Sequence, residues 1–210
     1  LRLAASLGRL EICEHLIKKH DVDVDDFERG TGYPIIKEAL AHPKVVQLLI
    51  DGGADLQTRI TWRGGRTGIW IVGDDATALH HAAADGVPET ITLIIDHGVD
   101  IFANAHDLVD ENQKQTALEV AAVFGKADNA RAILDHPKFD AADKRTKQKL
   151  LDQCLWLGAS PWRTAWARDG SHEKLVLALL NKGANPNATQ GDITAVQRAA
   201  VVIRADLGED

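Results

Sequence analysis

Between Thr58 and Gly73 stand Arg59, Trp62, Arg63, Arg66 and Trp70, with no acidic residue among them. Arginine and tryptophan are the side chains most enriched at binding hot spots. Gly64-Gly65 can supply the positive φ of a two-residue hairpin turn. In that register Arg63 faces Arg66, Trp62 faces Thr67, Ile60 faces Ile69 and Arg59 faces Trp70. One side of the finger then carries Trp62, Ile60, Ile69 and Ile71, and the other holds Arg59 and Trp70 in cation–π reach. The chemistry this implies is recognition rather than bond-making. The competing reading is a finger whose apolar side packs on its own chain.

Bond-making chemistry has no comparable signal. The nine histidines fall in no HExxH, and no Cys-x-x-Cys occurs. His80 and His81 are sequential, so on a helix they point to different sides and cannot share an ion. Gly64 to Gly68 lacks the lysine and the following helix that phosphate binding needs, and no G-x-S-x-G or G-x-G-x-x-G is present. Asp21, Asp23, Asp25, Asp26 and Glu28 crowd one segment, and Asp100, Asp107, Asp110 and Glu111 another, without the order of a calcium loop. Neither a metal nor a cofactor is expected, and no small-molecule substrate. The net charge of −7 argues against a nucleic-acid binder. Acidic segments flanking a basic finger instead suit a protein partner of matched charge.

The elements that must position the finger repeat along the chain. Paired small residues recur at Leu3-Ala4-Ala5, Tyr33–Ala39, Thr77–Ala83, Thr116–Ala122, Ser160–Trp166 and Thr194–Ala200. Thr116 with Glu119 and Thr194 with Gln197 fit a capping box, and Thr77 and Ser160 can cap in the same way. Gly8, Gly86 and Gly125 stand where a first helix must end, which favours a left-handed backbone. Aliphatic stripes at helical spacing follow: Ile12, Leu16, Ile17; Val45, Val46, Leu48, Leu49; Ile91, Ile94, Ile95; Ile133, Leu134; Val176, Leu179, Leu180. Gly53-Ala54-Asp55, Gly98-Val99-Asp100 and Gly183-Ala184-Asn185 then turn the chain.

The run TALHHAAADGVPETITLIIDHGVD, residues 77–100, resembles an ankyrin repeat nearly end to end, a 33-residue unit of a β-turn and two helices with a T-P-L-H-x-A signature. The resemblance implies an all-α solenoid of helix-turn-helix units with β-hairpin loops, in about five to six repeats. Those fall near 1–29, 30–57, 73–104, 113–140, 159–190 and 191–210, the last partial, in one array spanning 1–210. From Pro34 to Ala78 is 44 residues, then 39, 44 and 34 to Ala117, Pro161 and Ala195. The excess over one unit marks two long insertions, near 58–72 and 141–158. The first is the finger. In the second, Lys144, Arg145, Lys147 and Lys149 precede an extra amphipathic helix, Leu150 to Leu157, with Trp156 expected in the core. Trp162 stands at the usual leucine and Trp166 at the usual second alanine of the fifth unit, and both are expected to pack.

In the ankyrin family first helices and hairpin tips form the face that holds a protein or peptide. Carried over position by position, that face is Lys37, His81, Asp85, Val120, Val123, Thr164 and Arg198, to which the finger's Arg59, Trp62, Arg63, Arg66 and Trp70 are added. Some ankyrin arrays resemble methyl-lysine readers. The groove positions Lys37, His81, Val120, Thr164 and Arg198 do not supply the aromatic cage that such reading needs. Asn187 stands where asparaginyl hydroxylases modify other ankyrin proteins, but Pro186 precedes it. The expectation is a non-catalytic interaction scaffold. The alternatives are a regulatory or substrate-recruiting segment of a larger enzyme, a pathogen effector that recruits a host protein and, last, a methyl-lysine peptide reader.

Cys13 and Cys154 are too far apart in sequence to suggest a disulfide framework, which fits an intracellular compartment, cytoplasmic or nuclear. No apolar run is long enough to span a membrane, and no signal-peptide pattern opens the chain. The chain opens inside a first helix and has no methionine, so it is expected to be part of a longer protein, whose flanks could carry targeting or catalysis.

Overall fold

The computed structural model describes residues 1–25, 34–58, 75–106, 114–159 and 171–199. The finger at 59–74, the acids Asp26, Glu28, Asp107, Asp110 and Glu111, and the Ser160–Trp166 box lie outside the described residues. The chain divides into two compact units, 1–117 and 118–210.

The first unit is a double row of helices. First helices α1 (Arg2–Ser6), α3 (Ile35–Glu38) and α5 (Ala78–Asp85) pack in succession, and second helices α2 (Leu10–His20), α4 (Pro43–Asp51) and α6 (Pro88–Asp96) form the other row. The first row is close-packed because its contact residues are small: Ala5, Ala39, Ala82 and Ala83 are fully buried. The second row buries Val45, Val46 and Leu49 in α4 and Ile91, Ile94 and Ile95 in α6. In α2 the stripe is not a core: Ile12 is 52% exposed and Cys13 is the buried residue. A hairpin, β1 (Asn104–His106) paired antiparallel with β2 (Lys114–Thr116), closes the unit in the register Asn104↔Thr116 and Ala105↔Gln115.

Local chemistry fixes the helix ends. At Thr77 the box closes with a histidine: the Thr77 N–H donates to His80 Nδ1 at 3.2 Å, and the Thr77 hydroxyl lies 2.9 Å from the same nitrogen. With Nδ1 accepting, the proton sits on Nε2, which donates to the Gln115 carbonyl at 3.1 Å. His80 thus ties its own helix to the next hairpin. Thr194 and Gln197 make the expected reciprocal pair at 2.9 and 3.1 Å. After the second helices, Gly53, Gly98 and Gly183 adopt φ of +94°, +95° and +97°. Each is followed by an N–H that bonds back into the helix, as Ala54 does to the Leu49 carbonyl and Ala184 to that of Leu179, both at 3.0 Å.

Gly86 departs from expectation. Its φ is −79° and ψ −169°, not left-handed. Pro88 opens α6, and the chain reaches it through extended Gly86 and Val87. Glycine is needed there for space instead, since a Cβ would sit 2.7 Å from the Ala82 carbonyl oxygen.

The second unit holds α7 (Ala117–Val123, starting at the unit boundary), α8 (Ala127–Leu134), α9 (Pro137–Asp140), α10 (Lys144–Gly158), α11 (Ser171–Asn181) and the strand pair β3 (Thr189–Gln190) and β4 (Ile193–Thr194). α11 packs on α8 and on α10, and α10 reaches β3. The extra helix exists but is longer than expected, because Lys144 to Lys149 lie inside it. Asp143 caps it, its Oδ1 accepting from the Thr146 N–H at 2.9 Å. Leu150, Leu151, Cys154, Leu155 and Gly158 are its buried side. Trp156 is not in the core: it is half-buried, on the side away from Cys154. α9 was not legible in the sequence. Its N-cap is His136, whose Nδ1 accepts from the Lys138 N–H at 3.2 Å.

Candidate functional site

Among the twelve candidate contact residues, Arg59, Trp62, Arg63, Arg66, Trp70 and Thr164 lie outside the described residues. The other six divide by burial. Asp85 ends α5 exposed, and Lys37 and Arg198 are half-buried. His81, Val120 and Val123 are enclosed, at 3%, 2% and 7% exposure. That corrects the expected face. Paired alanines let neighbouring first helices approach so closely that the position after the box is covered, and every α5 residue from Ala78 to Ala84 is buried. His81 pays for the enclosure electrostatically. Desolvation, with smaller contributions from Lys37 and His80, lowers its pKa to about 3, so it is neutral in the folded chain.

Three of the described turn acids shape their own turns. Asp23, Asp55 and Asp100 each accept, through Oδ1, the N–H two residues on, at 2.9, 2.8 and 2.9 Å. Asn185 does the same for Asn187 at 3.0 Å. These turns mimic backbone turns and explain Asp and Asn at that position. Asp55 also accepts the Thr58 hydroxyl at 2.7 Å, and chiefly that bond holds its carboxyl below the ordinary range. Successive turns are tied together: the Asp55 N–H donates to Asp25 Oδ1 at 2.9 Å, and Gln57 Nε2 donates to the Gly98 carbonyl at 3.2 Å.

In the second unit one helix side supplies the equivalent pair of bonds. Gln148 Nε2 of α10 donates to the Gly183 carbonyl at 3.0 Å, and the Asn185 N–H donates to Asp152 Oδ1 at 2.7 Å. Gln148 also donates to Asp152 at 2.8 Å. Near the other end of α10 the Arg198 guanidinium lies 3.3 Å from the centroid of the Trp156 ring. Arg198 is a candidate contact from its repeat position, whereas Trp156, expected in the core, stacks on it instead. The missed signal was helical spacing: Arg145, Lys149 and Trp156 share one side of α10.

No group of three or more His, Cys, Asp and Glu able to hold a metal occurs among the described residues. Cys13 and Cys154 are buried, and burial raises both thiols, in Cys154 with help from Glu119. A thiol held protonated is a poor nucleophile. No described helix is long and apolar enough to cross a membrane.

Comparison with known proteins follows the same lines. A model of ankyrin repeats, in three copies, matches residues 42–148. A 60-residue stretch is 43% identical to a protein of Arabidopsis thaliana named "Putative E3 ubiquitin-protein ligase XBAT35", covering 29% of this chain and 12% of that protein. Two solved structures share the fold across nearly the whole chain. One is a chain of the complex between the predatory endopeptidase Bd0816 of Bdellovibrio bacteriovorus and the immunity protein Bd3460, with TM-score 0.61, 19% identity, and coverage of 97% and 92% of the two chains. The other is an ankyrin repeat domain from Acinetobacter baumannii, with TM-score 0.59, 20% identity, and coverage of 98% and 92%. Repeats of this kind are generally protein–protein interaction modules, typically without catalysis of their own. With the family model matching half the sequence, and with rows of paired helices behind it, the chain belongs to the ankyrin-repeat family.

Proposed function

We propose that this chain is a non-catalytic scaffold that binds a protein or peptide through its hairpins and the exposed ends of its first helices. The observation that carries the reading is the ladder of turn bonds. Asp25 to the Asp55 N–H and Gln57 to the Gly98 carbonyl hold successive loops in fixed register. A preorganised array of loops binds with less ordering cost than a mobile one. The finger's Arg59, Trp62, Arg63, Arg66 and Trp70 are its principal contacts, on the residue types that dominate hot spots. An intracellular location, cytoplasmic or nuclear, goes with this reading.

The test is affinity purification with the wild-type chain and with Arg59→Glu/Arg63→Glu/Arg66→Glu side by side, followed by calorimetry on any protein that the variant loses. The expected outcome is at least a tenfold loss of affinity at an unchanged melting temperature. Equal affinity removes the finger from the site. A second reading, a substrate-recruiting segment of a larger enzyme, draws on the relative named as an E3 ligase, of which the matched stretch is only 12%. The full-length sequence decides between them.

A further inference from the structure

We infer that the outer face of α1 and α2 docks on a second copy of this chain, which presents the outer face of its α11. The contact is head-to-tail, one copy continuing the helix rows of the next. It stands apart from the scaffold reading, which needs only one copy.

Three observations carry it. First, the stacking positions of α1 and α2 are bare. Ile12 stands four places after Gly8, as Thr90 does after Gly86, and it is 52% exposed where Thr90 is fully buried. Leu16 is half-buried where Ile94 is covered. Leu3 precedes Ala4-Ala5 as His81 precedes Ala82-Ala83, and the two are 73% and 3% exposed. Helix α6 follows α4 in the row, whereas α2 opens it. These are therefore the positions that a preceding helix pair covers.

Second, α11 shows the other half of such a contact. It packs on α8 and buries Leu175 and Leu179. Leu180 stands three places before Gly183, as Ile95 does before Gly98, and it is 37% exposed where Ile95 is buried. Leu177, at the place of Thr92, is 53% exposed. Repeats that end an array ordinarily turn a polar face outward to stay soluble. These two helices turn leucine and isoleucine outward. Within the chain α2 packs on α4 and α11 on α8, so the proposed contact continues an interface that this sequence already makes.

Third, the charges match. Arg9 and Glu11 are exposed at the start of α2, and Glu173 and Lys174 at the start of α11. None of these four side chains pairs with a charge among the described residues. Second helices of stacked repeats run side by side in one direction. The start of α2 then meets the start of the other copy's α11, with Arg9 opposite Glu173 and Glu11 opposite Lys174. Opposite charges in that arrangement fix the register of the contact.

The test is sedimentation equilibrium on the full chain from micromolar to millimolar concentration. A head-to-tail contact does not close at two copies unless the rotation makes a ring, so the mean mass is expected to climb past that of a dimer. Leu3→Glu/Ile12→Glu alters one face and Leu177→Glu/Leu180→Glu the other. Each variant alone is expected to be monomeric. Mixed, they should form a complex of two chains and no larger, because each keeps one intact face. Glu11→Lys is expected to weaken assembly about threefold to tenfold, and Glu11→Lys/Lys174→Glu to restore it. Circular dichroism confirms folding, and the charge variants, which touch no apolar residue, carry the test where a leucine variant does not fold. A wild-type chain that is monomeric throughout overturns the inference. So does assembly that survives alteration of either face, a mixture that stays monomeric, or a dimer lost with the α2 face and indifferent to the α11 face. Loss of a foreign partner in Arg59→Glu/Arg63→Glu/Arg66→Glu with self-assembly intact separates the two surfaces and supports both readings.

Discussion

The loops of the first unit and helix α10 of the second hold the turn that follows them with the same two bonds, an amide side chain to a glycine carbonyl and a carboxylate to a turn N–H. Gln57 and Asp25 do it from two separate loops; Gln148 and Asp152 do it from one helix, four residues apart. The difference shows what an insertion adds to a repeat. A loop uses its polar groups up in shaping itself, as Asp55 does with Gln57 and Thr58. A helix satisfies its own backbone, so one side can bury Leu151 and Cys154, another can hold the neighbouring turn, and a third remains for charge.

The sharpest way to separate the units is acid. His81 and Val120 occupy matching positions, one in each unit, and both are buried. On unfolding, His81 regains a pKa near 6.5, whereas in the folded chain it stays neutral down to about 3. The unfolded chain therefore takes up the proton first, and stability is lost as pH falls from about 6.5 toward 3. At about 1.4 kcal/mol per pH unit this amounts to roughly 2 kcal/mol at pH 5. Hydrogen exchange is expected to report lost protection in α5 and α6 at pH 5 and little change in α7 and α8. The variant His81→Leu is expected to flatten the pH dependence of the first unit. Equal acid loosening of both units contradicts the assignment.

A smaller effect tests whether helix and loop hold their turns in the same manner. Asp152 accepts from both Asn185 and Gln148, so Asp152→Ala and Gln148→Ala remove parts of one network. Each is expected to cost about 1 kcal/mol, the ordinary scale for a hydrogen bond. Together they should fall short of the sum by about 0.5 kcal/mol or more, as coupled neighbours do. Asp25→Ala and Gln57→Ala act on different turns and should add. Denaturant midpoints for the four single and two double variants decide it; additivity in both units means that α10 is only two independent anchors.

Much of this was legible because it depends on short-range chemistry. Threonine before the alanine-rich helices, glycine after the aliphatic ones, and Asp or Asn two residues later each follow from one turn's geometry. Burial was harder. His81, Val120 and Val123 look like surface from the repeat position, and only the stacking of neighbouring helices covers them. Gly86 was placed correctly for a different reason, since its requirement is room beside Ala82 rather than a positive φ. Trp156 was misjudged because an aromatic ring in an apolar run reads as core. Its partner Arg198 lies 42 positions away, beyond any local pattern.

The smallest expected effect bears most directly on why α10 differs from a loop. If Lys144 and Arg145 serve the fold, neutralising them weakens it. If they only oppose the helix dipole, removing them helps: Lys144→Gln should raise stability by a few tenths of a kcal/mol, the scale of one exposed charge at a helix terminus, and Arg145→Gln by less, because Arg145 also favours the charged form of the capping Asp143. The gain should shrink as salt rises, because the opposing charges are exposed. Thermal melts at low and high salt supply the measurement. A drop in melting temperature on neutralisation assigns the cations to the fold and leaves α10 as a brace alone.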